Sequence, residues 1–126
     1  MTKYKKQGFS NTFKNARKGM RLTLKSERNI RVHIFVAILV LISAYCFNFS
    51  LVKFSILLLT IAAVISAEMF NSAIEFSLDA IFHNRYSRMV GMAKDIAAGA
   101  VLVVTVTAVL VGVLLFAPVF VNLLNA

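Results

Sequence analysis

Hydrophobic and polar positions divide the chain into one amphipathic segment followed by three apolar runs. The opening MTKYKKQGFS is polar and is expected to form a mobile tail over residues 1–10. Beyond it, Phe13, Ala16, Met20 and Leu24 recur at three- and four-residue steps, with Lys14, Arg17, Lys18, Arg21, Lys25 and Arg28 filling most positions between them. That spacing predicts a basic amphipathic helix over 11–28 lying at a membrane interface, with Ser10, Asn11 and Thr12 as N-cap candidates. The apolar runs cover 32–49, 54–70 and 96–120. Each is close to the roughly 20 residues that cross a hydrocarbon core about 30 Å thick. The expected architecture is an all-α integral membrane protein: a surface helix and three transmembrane helices over 32–49, 52–79 and 94–120. The second of these continues into the cytoplasm, and a loop over 80–93 joins it to the third.

Composition supports a bilayer as the solvent. Of 126 residues, 60% are hydrophobic, with one proline and five glycines, and mean hydropathy is +0.81. Lys and Arg number 14 against five acids, a formal charge of +9, and ten of the cations precede His33. Net charge alone would also fit nucleic-acid binding. Joined to apolar spans, it points instead to an end that faces anionic lipid in the cytoplasm. Arg85, Arg88 and Lys94 lie between the second and third runs, and only Lys53 lies between the first and second. Loop charge therefore puts the amino terminus and the 80–93 loop inside and the carboxyl terminus outside.

Roughly thirty polar, basic residues before the first run exceed an ordinary n-region, so that run is expected to stay in the membrane. Cys46, the single cysteine, excludes an internal disulfide and any CxxC pair, and is expected to be a packed thiol. Pro118 falls near the outer end of the third run, where a kink or stop is tolerated. Ala93, Ala97, Ala98, Gly99 and Ala100 form a small-residue cluster suited to close helix packing or to room for a headgroup. Three spans enclose little interior, so a sheltered site calls for further copies of the chain.

The five acids are Glu27, Glu68, Glu75, Asp79 and Asp95, and three of them fall in AEMFNSAIEFSLDA at 67–80. Counting inward from Leu51 at 1.5 Å per residue, Glu68 lies about 26 Å in, at the inner edge of the core, and Glu75 about 10 Å further. Asp95 is expected to open the third helix at the same boundary, and Glu27 closes the surface helix there. At about 100° per residue, Glu68 and Glu75 come within about 20° of one another, and Asn71, Ser72 and Asp79 fall within about 60° of Glu68. A carboxylate at mid-bilayer costs about 2.5–3.5 kcal/mol, and less at the interface, so this stripe signals function or helix pairing. Ion pairs with Lys94, Arg85 or Arg28 are the structural alternative.

Carboxylates suit magnesium, which keeps several waters and takes one or two carboxylates plus substrate phosphates. Lys94 beside Asp95 at a helix start would hold a phosphate with help from free backbone N–H groups. Glu68 at headgroup depth could take a proton from a lipid hydroxyl, with Asn71 orienting it. Together these describe phosphoryl transfer to a lipid, without a GxxxxGK[ST] loop, a GxGxxG turn or an HExxH helix. A small cation transporter or pore is the reading from a different class. Such proteins carry their ionisable groups near the midplane, whereas here all five acids gather at the inner boundary. A non-enzymatic anchor leaves the stripe unexplained.

Four motifs in order carry a family resemblance over about Phe13 to Phe116: Phe13-x-x-Ala16-x-x-Gly19; Glu27-Arg28-Asn29-x-Arg31-x-His33; Glu68-x-x-Asn71-Ser72-Ala73-Ile74-Glu75-x-x-x-Asp79; and Ala93-Lys94-Asp95-x-Ala97-Ala98-Gly99-Ala100-Val101. The chain resembles the small integral-membrane lipid kinases of bacteria, the prokaryotic diacylglycerol kinase and undecaprenol kinase family. The resemblance implies a homotrimer in the bacterial cell membrane that uses MgATP to phosphorylate a lipid alcohol. It implies Glu68 as general base, Glu27 and Glu75 as magnesium ligands, and Lys94 and Asp95 as nucleotide contacts. Asn71 and Asp79 would support the site. Arg85 and Tyr86 are further nucleotide candidates, and Ser72, Ala98 and Gly99 are candidates for support or substrate binding. The family often has Tyr-His where this chain has Tyr86-Ser87, and His83 stands at the wrong offset to substitute. His33, at a span entrance, is expected to pack at the interface. The Glu27 and Lys94 motifs look more like the Gram-positive branch, which favours undecaprenol over diacylglycerol as substrate.

Overall fold

The computed structural model describes residue 6 and residues 8–126, so much of the expected tail at 1–10 lies outside the described residues. Four helices follow in order: α1 (Phe9–Ser26), α2 (Arg28–Cys46), α3 (Leu51–Phe82) and α4 (Arg88–Leu124). The last three are long and apolar enough to cross a membrane.

Helix α1 starts earlier than the Ser-Asn-Thr cluster suggests, because Gly8 is the N-cap and Thr12 sends its hydroxyl back to the Gly8 carbonyl at 3.2 Å. It ends at Glu27, one extended residue (φ −107°, ψ 111°) that is also the N-cap of α2. Arg31 Nη1 donates to the carbonyls of Leu24 at 2.8 Å and Lys25 at 2.9 Å. Those carbonyls end α1 without intrahelical donors, so the guanidinium both satisfies them and complements the helix dipole across the corner. The α2 helix thus begins four residues before the apolar run expected at 32–49, and it stops before Phe47.

Its stop is a Schellman motif. Asn48 adopts φ 54°, and the N–H groups of Asn48 and Phe49 donate to Tyr45 and Ala44. Ser50 then caps α3, accepting from the Lys53 N–H at 3.3 Å. The resulting four-residue turn makes α2 and α3 an antiparallel pair. Phe49 contacts Phe116 of α4 with ring centroids 4.8 Å apart, and Lys53 sits 5.4 Å above the Phe49 ring. Cys46, at the end of α2, is exposed rather than packed.

Helix α3 runs unbroken for 32 residues, about 48 Å at 1.5 Å per residue, so it outlasts the apolar run by several turns. His83 and Asn84 end it in left-handed conformation. Ser87 caps α4 by accepting from Val90 N–H at 3.2 Å, and the loop shrinks from the expected 80–93 to 83–87. Lys94 and Asp95 therefore do not open a helix. They stand in its second turn, where backbone N–H groups already serve carbonyls four residues back, so the free N–H groups expected beside Lys94 belong to the turn after Ser87. Pro118 does not stop α4, which continues to Leu124.

Packing follows chain order: α1 on α2, α2 on α3, α3 on α4. The buried apolar residues are Ile30, Ala37 and Ala44, Leu57 and Val64, and Val90 and Ala97. Seven-residue spacing puts each set on one face, and the alanines let the backbones approach. Of the small cluster in α4, only Ala97 is buried, while Ala98 and Ala100 face outward. The chain exposes 10111 Å², against about 6,700 Å² for a compact soluble protein of its mass. Phe35, Leu39, Leu59, Leu102 and Leu114 are among the large side chains left uncovered. Lipid or further protein must cover such a surface.

Candidate active site

The polar stripe of α3 faces the protein. Glu68 is 7% exposed and Ser72 3%; Asn71, Glu75 and Asp79 are half-buried, while Phe70, Ile74 and Phe76 between them point outward. Helical periodicity alone accounts for this sorting, since the five polar positions share about a third of the helix circumference.

Glu68 is held from α2. His33 Nε2 lies 3.2 Å from Glu68 Oε1, with the imidazole about one quarter exposed (27%) and the carboxylate almost buried (9%). Interfacial packing is therefore not the whole role of His33. One turn further along α3, Asn71 Nδ2 donates to Glu75 Oε1 at a long 3.4 Å. A carboxylate only accepts, so the amide nitrogen must face Glu75, and Asn71 Oδ1 is left buried without a partner. At the inner end Lys94 Nζ donates to Asp79 Oδ1 at 2.6 Å, joining α4 to α3. That pair is the structural alternative raised for the stripe, realised between these two residues. With both side chains about a third exposed, a double-mutant cycle of Asp79→Asn and Lys94→Met, read by thermal unfolding, is expected to give a coupling of about 0.2–1 kcal/mol.

The other candidates are more dispersed. Glu27 is half-buried at the α1–α2 corner, and its carboxylate does not cap α2. Asp95, Ala98 and Arg85 are exposed and Gly99 is half-exposed. Tyr86 is 85% exposed, with its ring lying over Gly91: a Cβ there would stand 2.8 Å from the Tyr86 hydroxyl. Gly91 thus gives Tyr86 a flat platform that sequence reasoning passed over. Among the described residues, no three His, Cys, Asp or Glu side chains converge on a metal-sized space. Glu75 and the orphaned Asn71 Oδ1 nonetheless put two hard oxygen acceptors one turn apart on the same face of α3.

On the membrane side of Glu68 an apolar cleft of about 280 Å³ opens between α2, α3 and α4. His33 stands in its wall, with Ala37, Val64, Thr105 and Gly112, and Phe116 lines it as well. The site thus joins a buried carboxylate, an acidic extension and an apolar cleft, which are parts suited to a reaction between a lipid and a charged co-substrate.

Comparison with known proteins agrees with that chemistry. The model of the family described as prokaryotic diacylglycerol kinase matches residues 14–116, most of the chain. The chain belongs to this family. This lipid kinase is 36% identical over 110 residues to the undecaprenol kinase of Bacillus subtilis (strain 168), covering 87% of its own length and 89% of the relative. It is 32% identical over 113 residues to the diacylglycerol kinase of a Synechocystis species, covering 90% of its own length and 65% of that relative. Family membership decides between the kinase and the cation-carrier readings of the acidic stripe.

Proposed function

We propose that this kinase transfers the γ-phosphoryl group of ATP to the primary hydroxyl of undecaprenol, giving undecaprenyl phosphate. The observation that carries the chemistry is Glu68: a nearly buried carboxylate, about 26 Å along an unbroken apolar helix from its outer end, where a lipid hydroxyl resides. Glu68 takes the hydroxyl proton as the lipid oxygen attacks the γ-phosphorus, and ADP leaves. Glu27 and Glu75 would hold magnesium, which would neutralise phosphate charge. Lys94, Asp95, Arg85 and Tyr86 line the approach for the nucleotide. Asn71, Ser72 and Asp79 fix the inner face of α3, and Ala98 and Gly99 leave room beside it.

Undecaprenol is favoured by the relative whose length this chain nearly matches. Diacylglycerol is the second reading, favoured by the family description and by the Synechocystis relative. In this account α1 lies in the inner interface: exposed Phe9, Phe13 and Met20 enter the lipid and its cations face the headgroups. The amino terminus and the 83–87 turn are cytoplasmic, and the large uncovered apolar surface is closed by assembly as a homotrimer and by lipid. The direct test is purified protein in vesicles with γ-labelled ATP and magnesium. Label is expected in the organic extract when undecaprenol is supplied, and a chain that labels neither undecaprenol nor diacylglycerol would overturn the proposal.

A further inference from the structure

We infer that His33 is a positioning residue for the general base, and that its Nε2–H fixes which oxygen of Glu68 meets the lipid hydroxyl. The inference rests on the proposed role of Glu68 as base. Among the described residues, His33 is the one side chain within hydrogen-bond distance of that carboxylate, at 3.2 Å. Lys94, the cation that reaches the stripe from α4, is engaged by Asp79 instead. A carboxylate that is to accept a proton has no hydrogen of its own to share, so the hydrogen of the contact comes from the imidazole. With Oε1 occupied, Oε2 is the oxygen free to face the substrate.

Geometry explains why such a residue is needed. A glutamate has three side-chain torsions, and Glu68 has no partner on α3 itself that would hold them. His33 reaches it from the antiparallel neighbour, where the ring stands in the wall of the apolar cleft with Val36 and Ala37. The imidazole therefore offers a single directed donor. Misplacing a reacting group by about 1 Å can cost about 10²-fold in rate. A positioning role predicts a loss of that order in kcat with little change in nucleotide binding.

The test compares His33→Gln, whose amide N–H reaches roughly where Nε2 lies, with His33→Asn, whose amide is too short to do so. Both are measured on the full chain in vesicles, alone and in a Glu68→Gln background, with thermal unfolding as a control for folding. His33→Gln is expected to keep kcat within about fivefold, and His33→Asn to lose about 10²-fold, with KM for ATP unchanged in both. Adding His33→Asn to Glu68→Gln is expected to cost nothing more, because the group being positioned is already gone. Equal kcat losses in the two single variants would overturn the inference, as would wild-type kcat in His33→Asn or additive losses in the double variant. Full activity of Glu68→Gln by itself would instead remove the underlying assignment of the base, so the two failures are told apart.

Discussion

Glu68→Gln is expected to lower kcat by about 10²–10⁴-fold, the usual worth of a general base, while leaving a folded protein that binds ATP as before. The amide has the shape of the carboxylate and can still meet His33, so packing around this nearly buried position is kept. What it loses is the ability to take a proton from the lipid hydroxyl. The measurement is kcat with saturating lipid and ATP, alongside nucleotide affinity and melting temperature. A loss of activity accompanied by unfolding would point to a structural carboxylate, and an unchanged kcat would exclude Glu68 as the base.

Glu75→Gln is expected to act differently, although it is the same substitution two turns along the same face. Glu75 lies about 10 Å nearer the inner end of α3, beside the orphaned Asn71 Oδ1. Its proposed task is to hold magnesium with the nucleotide. The variant should need at least about 10-fold more magnesium for half-maximal rate, since even loss of an outer partner costs 10–100-fold in metal affinity. Excess magnesium should recover part of kcat, which it cannot do for Glu68→Gln. Rates measured across a magnesium titration at fixed ATP check this, and a curve superimposable on wild type would count against metal ligation.

The stripe on α3 was legible in the sequence because helix period and burial obey the same geometry: positions 68, 71, 72, 75 and 79 had to share a face, and that face is the one turned inward. The number of long helices was legible for a similar reason, since a bilayer fixes the length of an apolar run. Helix ends were not. Hydropathy marks only what lies in lipid, so the first turns of α2 and α4, at Arg28–Arg31 and Arg88–Gly91, fell outside the apolar runs although each carries a buried apolar residue, Ile30 and Val90. Ser87 was the available signal for α4, as a capping residue ahead of a helix-compatible stretch.

The partner of Glu68 was missed for want of a register. A four-residue turn makes α2 and α3 antiparallel, and the His33–Glu68 contact sets their register two residues off the centre of that turn. Positions 44 and 57 and positions 37 and 64 are in the same register as 33 and 68. The first two pairs are buried alanines with Leu57 and Val64, and the third is His33 with Glu68. Had the heptad of small residues in α2 been laid against α3, His33 would have been placed beside the base. No comparable rule ties Glu27 to Glu75, because the extended residue between α1 and α2 sets an angle that periodicity does not encode.

Competition in a single vesicle tests the central claim most directly. Purified protein, magnesium and γ-labelled ATP would be supplied with undecaprenol and diacylglycerol at equal mole fraction, and the labelled products separated and identified by mass. Label is expected to enter undecaprenyl phosphate in clear excess over phosphatidic acid, and both products are expected to disappear in Glu68→Gln. Label in phosphatidic acid alone would contradict the proposed substrate, and label undiminished in the variant would contradict the proposed base.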